Sequence, residues 1–223
     1  MSDDASTRPG RLILVPATIT LAVTLLRLVG ELQGWSPRFF SREAGGGGAL
    51  VGIAWLVPVF GAWFGWRLAR SGERAGSLGR ALGLTILALA LLPATGFLAG
   101  KLGVDQTSVA MLLVYAVVSV AGLAVAFLAW PALGRVLLAY GLAARIPVVL
   151  VMLAAILGNW GTHYDVPPPG APEMSGLWKW AVIGLLPQMT VWLWFTSVVG
   201  GIFGIVAGAI ARRRAAGGDG HLG

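Results

Sequence analysis

Charged side chains inside an apolar stretch are the first chemically informative feature of this sequence. Arg27 and Glu31 lie four residues apart in an otherwise apolar segment, and this spacing places both side chains on one face of a helix. Charges in a membrane-spanning helix are costly to bury, so they are functional-site candidates by default. We expect the pair to face a polar pocket. The alternative is that Arg27 snorkels to the interface and pairs only loosely with Glu31.

A second polar group lies in the loop-like segment 159–176, which is rich in proline and glycine. Its chemically capable residues are Asn159, His163, Tyr164 and Asp165. A histidine beside a carboxylate can act as a general base or as a proton sensor, and the pair could bind a metal if a third ligand were recruited. The plainer alternative is a histidine with a structural hydrogen bond. Because no HExxH-type spacing is present, we expect no catalytic residue, no metal and no cofactor.

Together the two groups predict an outward-facing polar pocket. We expect Arg27, with Arg38 or Arg42 from the following loop, to attract an anion. Glu31, His163 and Asp165 would gate the pocket or relay protons, and the other candidate ligand-binding residues are Asn159 and Tyr164. The leading hypothesis is a non-enzymatic protein that binds or transports a small solute or a lipid headgroup. The alternatives are a structural subunit of a larger membrane complex and an intramembrane enzyme that uses His163 and Asp165.

The composition indicates a membrane protein. Of the 223 residues, 57% are hydrophobic and 11% charged, and the mean hydropathy is +0.82, whereas a soluble domain carries about 25% charged residues. The chain has no cysteine and only two histidines, which excludes disulfides and thiolate chemistry. The net charge of +7 is explained by arginines at the ends of spanning helices, so we expect no nucleic-acid partner.

The apolar runs predict an all-α bundle of six transmembrane helices with both termini cytoplasmic. We expect a disordered tail at 1–10, one transmembrane domain at 11–211 and a basic, glycine-rich tail at 212–223. The predicted spans are 11–32, 47–69, 78–100, 109–130, 136–158 and 177–211. The last is longer than the roughly 20 residues that a span needs, so we expect it to be tilted, broken at Pro187 or partly along the surface.

The distribution of basic residues predicts the orientation. Eleven of the sixteen arginines and lysines fall on the side of the termini, Arg145 among them, and five fall on the other side. Positive residues favour the cytoplasmic side, so the localisation that we expect is a bacterial cytoplasmic (inner) membrane. The proposed pocket then opens outward.

Glycines repeat at intervals of four in several spans, which allows helix backbones to approach closely. The longest series is Gly200, Gly204 and Gly208, and a shorter one is Gly61 and Gly65. We expect packing within the chain, with a homodimer or other membrane subunits as the alternative. The glycine run 45–48 lacks the Gly-Lys-Ser/Thr ending of a phosphate loop, so we interpret it as a hinge or a place of close backbone approach.

Overall fold

A computed structural model of the chain describes residues 9–218, which are helical with connecting loops. The long helices are α1 Pro9–Leu32, α2 Leu56–Arg70, α3 Leu78–Lys101, α4 Val109–Ala129 and α5 Pro131–Gly158. The last part of the chain contains α6 Gly176–Lys179, a π-helical turn Trp180–Leu185, α7 Leu186–Met189 and α8 Val191–Gly218. The all-α prediction is confirmed for the described residues.

Five stretches within residues 9–218 are long and apolar enough to cross a membrane. They are Gly10–Leu32, Leu78–Lys101, Val109–Ala129, Pro131–Gly158 and Gly176–Ala215. Many of their large apolar side chains are exposed, for example Ile86, Phe97 and Val117, as expected for side chains that face lipid. These features are consistent with an integral membrane protein.

The second predicted span, 47–69, starts too early. In the structure α2 begins only at Leu56 and has 15 residues, about 22 Å at 1.5 Å per residue. Gly45, Gly46 and Gly48 have φ of 69°, 74° and 75°, a left-handed conformation that glycine adopts readily and that does not continue a helix. Residues 47–55 are therefore an apolar loop and not the first turns of a helix.

Two other helix boundaries, and the position of one break, differ from the prediction. The fifth helix begins at Pro131 rather than at 136 and continues through Pro147, since proline suits the first helical turn and is tolerated inside membrane helices. The last stretch breaks at Thr190, which has φ −122° and ψ −75°. The helix then continues to Gly218, beyond the predicted tail boundary at 212. Residues 1–8 and 219–223 of the two predicted tails lie outside the described residues.

Glycine contacts join α2 and α8 in a parallel pair. A methyl group added at Gly61 would collide with the backbone of Gly200, and one at Gly65 would collide with the backbone of Gly204. Residue numbers increase together along both helices, so the helices run in the same direction. This close approach within one chain confirms the predicted packing role for these glycines.

The other long helices surround this pair. The rings of Phe64 in α2 and Tyr140 in α5 pack edge-to-face with their centroids 5.5 Å apart. The Tyr140 hydroxyl lies 2.8 Å from Thr20 Oγ1 of α1. The indole of Trp194 in α8 donates to the Ala88 carbonyl of α3 at 3.0 Å. As a result α1, α2, α3, α5 and α8 form one packed bundle, which brings the loops 33–55, 102–108 and 159–175 together at one end.

Candidate functional site

A cavity of about 720 Å³ opens at the end of the bundle where these three loops meet. Its walls are mostly apolar and come from α1, α5, the π-helical turn and the glycine-containing loop before α2. The polar side chains in its lining are Thr24, Arg27, Gln106, Thr107, Arg145, His163, Tyr164 and Gln188. Among the described lining residues no aspartate or glutamate occurs.

Glu31 connects the polar residues behind the cavity wall. Its side chain is 0% exposed and accepts a hydrogen bond from Arg27 Nε at 2.8 Å. The backbone N–H of His163 donates to Glu31 Oε2 at 2.9 Å, and His163 Nδ1 lies 2.5 Å from Oε1. One carboxylate therefore attaches the 159–175 loop to the end of α1.

Arg27 attaches a second loop to the same carboxylate. Its side chain is 7% exposed, and its Nη2 donates to the carbonyls of Ser41 and Gly46, each at 3.1 Å. A side chain at Gly46 would come within 3.1 Å of both Arg27 and His163, and glycine avoids this crowding. Arg27 is therefore buried and closely paired with Glu31, and its Nη2 group holds the glycine-containing loop.

Arg42 supports this end of α1 from outside the cavity. Its guanidinium donates to the backbone carbonyl of Glu31 through both Nε and Nη2, in addition to the hydrogen bond that this carbonyl accepts from the Gly34 N–H at the helix C-terminus. Arg38 is exposed, and Asn159 is an exposed C-cap of α5 with φ 49°. Neither Arg38 nor Asn159 lines the cavity, so the structure does not bring them together with Arg27.

Asp165 folds the loop that carries His163. Its carboxylate accepts from the backbone N–H groups of Gly161 and Thr162 at 2.8 and 2.7 Å, and from the Thr162 hydroxyl at 2.7 Å. Tyr164 donates from its hydroxyl to the Thr24 carbonyl at 3.2 Å. The loop is thus shaped by internal hydrogen bonds and fixed to α1, which positions His163 at the cavity.

The environment of His163 favours its neutral form. Burial lowers the pKa of His163 below its ordinary value of 6.5, although the hydrogen bond to Glu31 acts in the opposite direction. A neutral ring next to a carboxylate carries its proton on Nδ1, since the carboxylate can only accept. Burial also raises the pKa of the neighbouring Tyr164 hydroxyl. Within residues 9–218 no cluster of three or more His, Cys, Asp or Glu residues could hold a metal ion.

Arg145 is a cavity residue that the sequence interpretation missed. The count of basic residues places it with the cytoplasmic arginines, although the predicted fifth span, 136–158, encloses it. In the structure Arg145 lies at the middle of α5 and is 4% exposed. Its guanidinium lies 4.5 Å from the centre of the Trp192 ring. The apolar stretches 136–144 and 146–158, on both sides of this arginine, were the signal that could have revealed it.

The break in the last helical stretch also borders the cavity. Val182 and Ile183 of the π-helical turn, together with Pro187 and Gln188, contribute to its wall. π-helical turns inside helices are rare and occur frequently at functional sites. Because a π turn widens the helix and displaces the following side chains, it helps to create the space beside Arg145.

Comparisons with known proteins provide no relative from which a role could be transferred. No protein-family model, no curated protein and no solved structure matches the chain. The chemistry of the cavity must therefore be inferred from its own residues.

Proposed function

We propose that this chain is an integral membrane protein that binds a small amphipathic solute, or the headgroup end of a lipid, in the cavity without converting it chemically. The observation that carries the proposal is the cavity of about 720 Å³ with apolar walls and a few polar side chains. Ligand sites have volumes of roughly 300–1,000 Å³ and this mixture of lining residues. Binding would be the first step of transport if the cavity alternately opened to the two sides.

The hydrogen-bond network behind the wall supports binding rather than catalysis. Glu31 holds Arg27 and His163 in fixed positions at 2.8 and 2.5 Å, so the cavity is preorganised before a ligand enters, which reduces the cost of binding. Among the described contacts, the His163 ring hydrogen-bonds to Glu31, and no hydroxyl nucleophile is bonded to it. A nucleophile within reach of its base is what covalent catalysis requires.

The arginine distribution supports placement in a bacterial cytoplasmic membrane with the cavity facing outward. The end opposite the cavity carries most of the basic residues, even with Arg145 removed from that set. They are Arg11, Arg67, Arg70, Arg74, Arg80, Arg135, Arg212, Arg213 and Arg214. Such an excess favours the cytoplasmic side.

Photolabelling with matched amphiphiles tests the proposal. The probes are decanoic acid and decanol, each carrying a diazirine, added to the full chain in lipid nanodiscs, with labelled peptides mapped by mass spectrometry. Ile183→Trp fills the cavity from the π-helical turn. Ile86→Trp is the matched control, because Ile86 is 57% exposed on the outer face of α3.

At least one probe should label peptides of the cavity wall in the wild-type chain and in Ile86→Trp. Ile183→Trp should reduce this labelling severalfold, because the indole occupies the space that the ligand needs. Absence of cavity labelling by both probes, or equal labelling in the two tryptophan variants, would refute binding in this cavity.

A further inference from the structure

Arg145 is a buried cation whose hydrogen-bonding capacity is largely unused. A guanidinium has five N–H donors. The hydrogen bond that Arg145 makes is from Nη1 to Gln188 Oε1 at 3.4 Å, and its Nε has no partner. The Trp192 ring at 4.5 Å stabilises the charge by a cation–π interaction, but it cannot accept the in-plane N–H groups.

No carboxylate compensates this charge in the part of the chain that the structure describes. The ion pair there joins Glu31 to Arg27, and the same carboxylate accepts a hydrogen bond from His163. The neighbouring Gln188 offers another donor with a poor acceptor, because its Nε2 faces the thioether sulfur of Met152 at 3.8 Å. Arg145 and Gln188 therefore both have N–H donors available for a ligand. Burying a charge without a partner is costly, so an anionic ligand would relieve that cost at Arg145.

The cavity brings these donors next to apolar walls. Arg145 and Gln188 both line it, beside Val148, Met152 and Val182. The other lining arginine, Arg27, already donates to a carboxylate and two carbonyls. Arg145 makes fewer hydrogen bonds than Arg27 and forms no ion pair among the described residues, so it is the better candidate for binding an anion in the cavity.

We infer that Arg145 binds the anionic headgroup of the solute, so that the ligand class is a single carboxylate or phosphate group on an apolar chain. This inference rests on the proposed function, since it needs the cavity to accept an amphiphile. Arginine suits both headgroups because its planar fork matches two oxygens at once. Gln188 adds a second donor, and the apolar chain lies along the wall formed by α5 and the π-helical turn.

The competing explanation is that Arg145 only stabilises the fold by stacking on Trp192. The two roles differ in what Arg145→Met does to the empty protein. Methionine fills a similar space without a charge, and replacing a buried charge by an apolar side chain is often neutral or stabilising. If Arg145 serves binding and is costly to the empty fold, the empty Arg145→Met protein should have an unchanged or higher melting temperature than the wild type. If Arg145 is structural, the variant should melt at a lower temperature.

The experiment uses the same two photoprobes on the full chain in nanodiscs, with Arg145→Met and Arg145→Lys beside the wild type. We expect Arg145→Met to reduce cavity labelling by the acid roughly tenfold, the loss of one charge-assisted hydrogen bond, and to leave labelling by the alcohol unchanged. Arg145→Lys should retain part of the acid labelling, because lysine keeps the charge but not the planar fork. Decyl phosphate should displace the acid probe in the wild type.

Each result decides one question. Unchanged acid labelling in Arg145→Met, or an equal loss for acid and alcohol, would overturn the role of Arg145 as the anion site. A lower melting temperature of the empty Arg145→Met protein would show the structural role instead. Displacement by excess acetate or inorganic phosphate as readily as by decyl phosphate would overturn the apolar-chain part of the ligand class. Cavity labelling by neither probe refutes the proposed function itself, and the four outcomes are therefore distinguishable.

Discussion

Glu31 contacts His163, which lies 132 positions later in the chain. This contact joins α1 to the 159–175 loop at the cavity end of the bundle. The carboxylate holds the side chain of Arg27 and both the ring and the backbone of His163. Arg27 in turn holds the carbonyls of Ser41 and Gly46. The loops 33–55 and 159–175, which are far apart in the sequence, thus both depend on the buried carboxylate of Glu31. Removing this carboxylate should loosen both loops.

Glu31→Gln should destabilise the protein by about 3 kcal/mol, the lower end for a buried ion pair that loses one partner. The amide keeps the shape but leaves the buried guanidinium of Arg27 without a counter-ion. Thermal unfolding in detergent measures the change as a lower melting temperature. Arg27→Met combined with Glu31→Gln is the control, because it removes the unpaired charge and should lose less than the sum of the single changes. Strict additivity would show that the two side chains do not interact.

Stability should decrease as the pH falls below about 6.5, and His163 should contribute to that decrease. Its pKa in the folded protein is below the ordinary value, so the unfolded chain takes up a proton first and unfolding is favoured. The contribution is at most about 1.4 kcal/mol per pH unit and ends once the folded form also protonates. Melting temperatures from pH 8 to pH 5 should show a weaker dependence for His163→Asn, which keeps a donor to Glu31. An identical pH profile for the variant would contradict the neutral state of His163.

At the scale of elements, α2 and α8 are the closest pair in the bundle, and their contact depends on the absence of side chains. The parallel approach places Gly61 against Gly200 and Gly65 against Gly204. Large apolar side chains such as Phe64 pack beside this contact with 0% exposure. In lipid, where apolar burial between helices gives little driving force, such close packing is a principal source of association.

Gly65→Ala should destabilise the fold by about 1–3 kcal/mol, the usual cost of overpacking. Gly83→Ala on α3 is the matched control, since a methyl group there meets nothing within 4 Å and alanine is up to about 1 kcal/mol better than glycine inside a helix. Melting temperature and the yield of monodisperse protein in mild detergent measure both variants. An equal loss in the two would mean that the glycine contact does not hold the helices together.

At the scale of the whole molecule, the loops 33–55, 102–108 and 159–175 share one end, and the loop 71–77 lies at the other. Gly170 approaches Thr107 across two of the loops. The short α2 therefore runs from the cavity end to the opposite end, although with 15 residues it is shorter than the usual span of about 20.

Single cysteines test this arrangement, since the chain contains none of its own. Ser36→Cys and Val104→Cys should react with a membrane-impermeant maleimide in intact bacteria, and Ser71→Cys should react only after lysis. Equal reactivity of Ser36→Cys and Ser71→Cys would mean that α2 does not cross the membrane. Reversed reactivity would place the cavity on the cytoplasmic side.

The sequence predicted features that depend on neighbouring residues better than features that depend on tertiary contacts. A spacing of four was enough to place Arg27 and Glu31 on one helix face, and they form an ion pair at 2.8 Å. The contact between Glu31 and His163 could not be predicted, because it depends on how distant segments pack. Arg145 was counted with the cytoplasmic arginines although the predicted span 136–158 encloses it, and its position at the cavity depends on how α5 packs against the π-helical turn.

The start of the second span was predicted too early, at 47 instead of Leu56, for a related reason. Hydropathy counts residues 47–55 as apolar whether they form a helix or a loop, and only the positive φ of Gly45, Gly46 and Gly48 separates the two. Gly52 and Ile53 of this stretch line the cavity, but nothing in the local sequence indicates that role. Irregular backbone at membrane depth is tolerated where it lines such a space.

The length of α2 has a consequence for the surrounding lipid. At about 22 Å it is shorter than a hydrocarbon core of about 30 Å, and its Val59 and Trp63 side chains are exposed. If α2 crosses the membrane, acyl chains beside it compress or splay, whereas those beside α3 and α4 do not. Such one-sided mismatch costs fractions of a kcal/mol per Å and sorts proteins among membranes of different thickness. Thinner bilayers relieve the mismatch at α2 but create one at the longer helices α3 and α4, so the melting temperature should pass through a maximum as the acyl-chain length decreases.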